Sequence, residues 1–246
     1  MNHLIIYAHP SSASFSNAIL EKAKECSMKK GCKTEVRDLY SIGFDPILRA
    51  ADFEGLCGGN TPEDIKREQN YIEWADLITF IYPIWWTGMP AILKGYIDRV
   101  FSYGLASKQE SSDQKQQSRG SKQQDTSKES SNNSRQNSSE KPDSNSKESE
   151  NSNQRKDNST NEQKGSSALL KDKKVIIVTP MGTSCETYDN YGMTNSMQQT
   201  CDIGIFSFCG MKVVQHKFLG SVPNVENKVR EQYLQELCDM FDKILN

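Results

Sequence analysis

The sequence predicts an α/β fold: a doubly wound, five-stranded parallel sheet in the order 2-1-3-4-5. Short apolar runs alternate with stretches of helical periodicity, which is the pattern of β-α-β units. Three of those runs are near-continuous β-branched or aromatic residues, as strands covered on both faces require, while two alternate with polar residues and suit sheet edges.

The strands are expected at residues 3–8 (HLIIYA), 34–39 (TEVRDL), 77–83 (LITFIYP), 174–180 (KVIIVTP) and 212–219 (KVVQHKFL). Between and after them, helical periodicity covers 16–30, 62–75, 90–103, 192–209 and 225–245. Pro62 and Pro90 stand where a first helical turn tolerates proline, and Thr61 followed by Asp64 resembles a capping box with Asp in place of Glu. Right-handed crossovers then give a flavodoxin-like arrangement, whose ligands bind at the carboxyl ends of the strands beside the switch point between strands one and three.

Residues 107–167 stand apart, with no aliphatic, aromatic or sulfur-bearing side chain among them. Such a stretch has nothing with which to offset the entropy of ordering, so the reading is one domain over residues 1–246 interrupted by a disordered insert at 107–167. The rest, roughly 185 residues, suffices for one well-buried core.

Composition narrows the function by exclusion. A formal net charge of −2 carries no nucleic-acid or membrane-surface footprint. The seven cysteines are an odd number in no zinc or C-x-x-C spacing and are expected to be reduced thiols of a cytoplasmic protein, with no metal site. No apolar run approaches a membrane span, so no membrane insertion is expected.

Three turns at the strand ends carry the candidate chemistry. After strand one, His9-Pro-Ser-Ser-Ala-Ser14-Phe15-Ser16 opens a helix, and a serine-rich helix start offers free N–H groups, hydroxyls and the positive dipole end to a phosphate. Neither G-x-G-x-x-G nor a Walker lysine is present, and Ser14 or Ser16 can also be read as a simple helix cap. After strand three come Pro83, Ile84, Trp85, Trp86, Thr87 and Gly88. Adjacent side chains in extended backbone point to opposite sides, so one indole is exposed or covers a ligand, and a planar cofactor lying here would explain both it and Gly88; two core tryptophans bracketing a turn are the plainer reading. After strand four, Thr179, Gly182 and Thr183 can aim N–H groups at an anionic ring edge, with Tyr188 and Tyr191 as proton donors, unless this is an ordinary loop.

Residues 9–15, residues 82–101 (YPIWWTGMPAILKGYIDRVF) and residues 205–210 (IFSFCG) resemble the flavodoxin-fold NAD(P)H:quinone oxidoreductases, including the potassium-efflux ancillary and drug-modulator members. The resemblance implies a noncovalent FAD or FMN, NADH or NADPH as donor, a homodimer, and ping-pong two-electron hydride transfer through flavin N5 to a small quinone-type acceptor. It implies that His9, Ser14, Phe15 and Ser16 hold the phosphate and ribityl chain, and that Pro83, Ile84, Trp85, Trp86 and Thr87 line the isoalloxazine. Thr179, Gly182 and Thr183 would surround its pyrimidine end, with Tyr188 and Tyr191 as the catalytic pair and Arg230 at an FAD adenine. An azo- or nitro-reductase shares that chemistry, and a flavin-binding electron carrier or regulatory subunit of a transport system is the non-enzymatic alternative.

Overall fold

The computed structural model describes residues 1–58, 60–101 and 170–245, with no side-chain detail for 55–58. The insert expected at 107–167 and the end of the helix expected at 90–103 lie outside the described residues. Five strands form one all-parallel sheet: β1 (Asn2–Tyr7), β2 (Lys33–Asp38), β3 (Leu77–Ile81), β4 (Lys174–Pro180) and β5 (Lys212–Leu219), in the order β2-β1-β3-β4-β5. His3 pairs with Leu77, and Leu77 with Lys174. The central strands are buried beyond the first residues of β1 and β4, and the strands with polar alternation are the edges, as their sequences require.

Helices cover both faces. On one lie α1 (Phe15–Lys29) and the C-terminal helix α7 (Asn227–Ile244), burying Ile19, Leu20, Leu237 and Phe241 against Ile5, Tyr7 and Val178. On the other lie α3 (Glu63–Trp74), α4 (Ala91–Val100), α6 (Met193–Gln198) and a π-helical segment (Gln199–Ser207), packed on Leu4, Ile6, Phe80 and Ile177. Two short helices, α2 (Ala50–Gly58) and α5 (Cys185–Asn190), are the remaining ones among the described residues.

A few local expectations are corrected. No capping box forms at Thr61 and Asp64: Pro62 takes the cap position without a side-chain hydrogen bond, and Asp64 instead accepts from Arg99 at 2.9 Å. Pro90 is likewise the cap of α4, one residue before its first turn. The helix expected at 192–209 is present as α6 running on without a break into the π-helix, and Gly192 in the left-handed region (φ 69°) sets it off from the short α5, which the sequence expectations do not include.

The cysteines depart from the all-thiol reading. Cys26 of α1 and Cys238 of α7, 212 residues apart, are joined in a disulfide, while Cys32, Cys185, Cys201 and Cys209 are free. The cause is topological, since the two helices lie side by side on one face of the sheet. No helix among the described residues is long and apolar enough to cross a membrane, and no group of His, Cys, Asp or Glu among them is disposed to hold a metal.

Candidate cofactor site at the carboxyl rim of the sheet

The turn after β1 closes on itself before α1 begins. His9 Nδ1 lies 3.0 Å from the Ser11 N and 3.1 Å from the Ser11 O, so the backbone of Ser11 holds the imidazole against this turn. Ser14 is the cap of α1, its hydroxyl accepting from the Asn17 N–H at 3.2 Å. The Tyr7 hydroxyl lies 3.4 Å from the same oxygen, and burial pushes the Tyr7 phenol up from its usual value, so it stays protonated and able to donate. The first-turn N–H groups of Phe15 and Ser16 have no carbonyl within their own helix to bond. Ser14 is thus both a cap and part of a donor cluster, so the two readings of this turn are compatible.

The turn after β3 is held open by its own backbone. Ile84 N–H donates to Pro180 O at 3.0 Å, tying the segment to the end of β4. Trp85 and Gly88 then exchange both backbone hydrogen bonds, at 3.0 and 3.1 Å, leaving Trp86 and Thr87 as the two central residues. Both have positive φ, 50° and 59°, in a geometry that favours Asn and Gly and that a β-branched residue such as Thr adopts rarely. Trp86 is wholly exposed and Trp85 is 42% exposed, so neither ring plugs the rim. The His9 and Trp85 rings lie 6.0 Å apart, which brings the first and second turns together.

Strain of this kind persists only where surrounding structure imposes it, and it clusters at binding sites. Replacing Trp86-Thr87 by Asn-Gly is expected to raise folding stability by about 1–2 kcal/mol, read as a higher urea midpoint, and to weaken whatever ligand the turn serves. An unchanged or lower midpoint would mean that the turn is relaxed as it stands.

The third turn joins the rim through β5. Met181 N–H donates to Leu219 O at 2.9 Å and Ser221 N–H to Thr183 O at 3.0 Å. Gly182 is exposed, and a Cβ there would meet nothing within 4 Å. Tyr188 is half-buried against the core, whereas Tyr191 is exposed. Other residues singled out in the sequence have their side chains engaged elsewhere. Thr179 is fully buried with its hydroxyl 3.4 Å from His216 Nε2, and Phe15 turns toward Tyr233 of α7. Arg230 donates to Val222 O at 2.9 and 3.1 Å, to Pro223 O and to Asn227.

Some site features are illegible from sequence spacing. The register shift between Val175 and Ile176 marks a bulge in β5 that swings His216 onto the face of Ile177 and Phe218. There its Nδ1 meets Asp202 Oδ1 at 2.8 Å. No local signal in residues 212–219 marks that bulge.

A family model described as flavodoxin-like fold matches residues 1–129 and 153–241. A Haemophilus influenzae protein described as an uncharacterized NAD(P)H oxidoreductase is 31% identical over 236 residues, covering 96% of this chain and 91% of that protein. NAD(P)H dehydrogenase [quinone] 1 of Cavia porcellus is 39% identical over 122 residues, 42% of this chain and 44% of its own length. Among solved structures, an NAD(P)H:quinone oxidoreductase from Methanothermobacter marburgensis superposes with a TM-score of 0.71 at 24% identity, over 99% of this chain and 96% of the other.

Proposed function

The chain belongs to the flavodoxin-like fold family, and from that membership we propose that it is a flavin-dependent NAD(P)H:quinone oxidoreductase, acting by two-electron transfer on quinones or related acceptors. One observation carries the reading: the contact between His9 and Trp85 sets a donor-rich helix start and an exposed, strained aromatic turn side by side on one rim.

The residues present fit a noncovalent FMN or FAD. The Phe15 and Ser16 N–H groups and the Ser14 hydroxyl, with the His9 ring beside them, make a polar cluster at the positive end of α1, suited to a phosphate. Ile84, Trp85, Trp86 and Thr87 provide the aromatic wall for a flat ring, and the open space at Gly182 admits a ring edge to backbone N–H groups. When bound, the flavin supplies the capacity to take an electron pair from a nicotinamide and give it to an acceptor. Tyr191, out in solvent, is placed to exchange protons with water, and Tyr188 to hold a hydroxyl at the ring edge. Arg230 and the Thr179 side chain, committed to other partners, keep the rim in shape. The exposed Ile203 and Phe208 offer an apolar surface for a second copy, in support of a homodimer.

The test is reconstitution of the purified chain with FMN and with FAD, followed by NADH and NADPH oxidation with menadione and with an azo dye. Yellow protein and quinone-dependent turnover are expected. Protein that takes up neither flavin defeats the proposal, and flavin uptake with negligible turnover would indicate the electron carrier. A sharper measurement uses Ser14→Asp. Aspartate caps a helix as well as serine, so stability should stay within about 0.5 kcal/mol, whereas its charge opposes a phosphate and should weaken flavin binding at least tenfold in a fluorescence titration. Equal affinity would remove Ser14 from the site.

A further inference from the structure

Below the rim, on the face covered by α4 and the π-helix, lies a cavity of about 270 Å³. Its floor is Tyr82 and Ile84, just past the end of β3, with His216 of β5, and its walls are Met89 at the approach to α4 and Met197 and Ile205 opposite. The phosphate turn at residues 9–16 does not line it. A cavity of roughly 150 Å³ takes up benzene when its walls are apolar, so this one has room for a second ring.

The polar groups define what that ring carries. The Asp202 carboxylate at 2.8 Å accepts from His216 Nδ1–H, which leaves Nε2 an acceptor; it holds only a long bond from the Thr179 hydroxyl at 3.4 Å, and that hydroxyl has a second acceptor, Lys217 O at 3.5 Å, to turn to when a ligand takes its place. The imidazole stacks on Phe218 at 4.0 Å and is almost wholly buried, so its orientation is fixed. The Tyr82 hydroxyl at the floor is fully buried and reaches only the Cys201 sulfur, at 3.5 Å. The cation among the lining residues, Lys94, is paired with Asp98 at 2.6 Å. No lining charge is left uncompensated, so an ion entering here would lose hydration without a partner. We propose that this cavity is a binding site for a neutral, flat hydroxyaromatic molecule of one or two rings, which donates its hydroxyl proton to His216 Nε2. The site shares Ile84 and Thr87 with the cofactor wall but not the tryptophans, the phosphate turn or Gly182, and it does not depend on the flavin reading.

The test uses 2-naphthol as probe on the full chain with methyl-labelled methionines, before and after flavin removal. Expected are shifts of the Met89 and Met197 methyl signals, none at Met28 on exposed α1, and affinity at least tenfold above that of naphthalene. Thr200→Trp, at the exposed mouth, should abolish binding, and His216→Phe should remove the preference for naphthol over naphthalene. If Thr200→Trp is poorly folded, Ile205→Trp fills the same space from another position. Unmoved Met89 and Met197 signals, or binding that disappears when flavin is stripped, would overturn the proposal. Equal affinity for naphthol and naphthalene would overturn the role of His216.

Discussion

Replacing Arg99 with methionine is expected to lower folding stability by about 3–5 kcal/mol, the range for leaving a buried carboxylate without its cation. Arg99 reaches from α4 under the loop that follows β2. Its Nε and Nη2 donate to the two oxygens of Asp52 at 3.1 and 3.0 Å, and its Nη1 donates to Asp45 O at 2.8 Å and Asp64 Oδ2 at 2.9 Å. Both Arg99 and Asp52 are buried, and the guanidinium holds the Asp52 carboxyl below its usual range. Methionine fills the stem but supplies no donor, so Asp52 would keep only the Arg49 N–H, at 2.8 Å. Asp64 is far more exposed and water can replace its partner. One turn earlier on the same helix, Gly95 lies so close to Pro46 that an added Cβ would sit 2.2 Å from its carbonyl oxygen, so this face of α4 is fitted to the loop at both positions. Urea unfolding followed by tryptophan fluorescence reads the loss. The double change Arg99→Met with Asp52→Leu should recover most of it, because an apolar pair no longer buries a lone charge. A single-variant loss below about 1 kcal/mol would mean that water reaches Asp52 as it reaches a surface pair.

That ion cluster shows which parts of the molecule could be read from sequence. The strands were legible because Leu4–Ile6 and Ile176–Val178 are uniformly apolar and fully buried, and the edges because β2 and β5 alternate. The phosphate turn and the double tryptophan were legible because each departs from what a core segment needs: a run of hydroxyls before a helix, and two large rings where only one can face inward. Arg99 carried no such mark, since its partners at 45, 52 and 64 are neighbours only after α4 packs. Helix α2 is short and lacks a clear apolar stripe, so periodicity missed it. The Cys26–Cys238 pair depends on two helices at opposite ends of the chain, and the burial of the Thr179 hydroxyl depends on a bulge in a neighbouring strand. Apart from the weakly patterned α2, what failed to appear in the sequence was long-range, and what appeared was local composition.

Lowering the pH from 7 to 5 is expected to cost about 2 kcal/mol of stability through His3 alone, at about 1.4 kcal/mol per pH unit of differential titration. His3 is fully buried in β1, with Nδ1 2.7 Å from Ser27 Oγ and Nε2 2.8 Å from Thr79 Oγ1. Desolvation lowers its pKa from 6.5 to about 4. Both hydroxyls can accept as readily as donate, so protonation need not break these bonds; the penalty is that of a charge with no counter-ion in a dry site. The sign follows. The folded form keeps the ring neutral while the unfolded chain takes up a proton below 6.5, so the stability is fully present above 6.5 and is lost progressively as the pH falls toward 4. Paired carboxylates such as Asp52 and Glu236 also destabilise on acidification, but their loss begins only near the unfolded carboxylate range, close to pH 4.5. The interval from 7 to 5 therefore isolates histidine. Urea midpoints across it should fall steadily for the parent and much less for His3→Gln, which retains an amide for the hydroxyls and cannot charge. Parallel slopes in the two proteins would show that His3 is protonated in the fold without penalty, and that its three hydroxyl-bearing neighbours, Ser27, Thr79 and the next in line, Thr34 at 2.8 Å from Ser27, solvate a cation as well as water does.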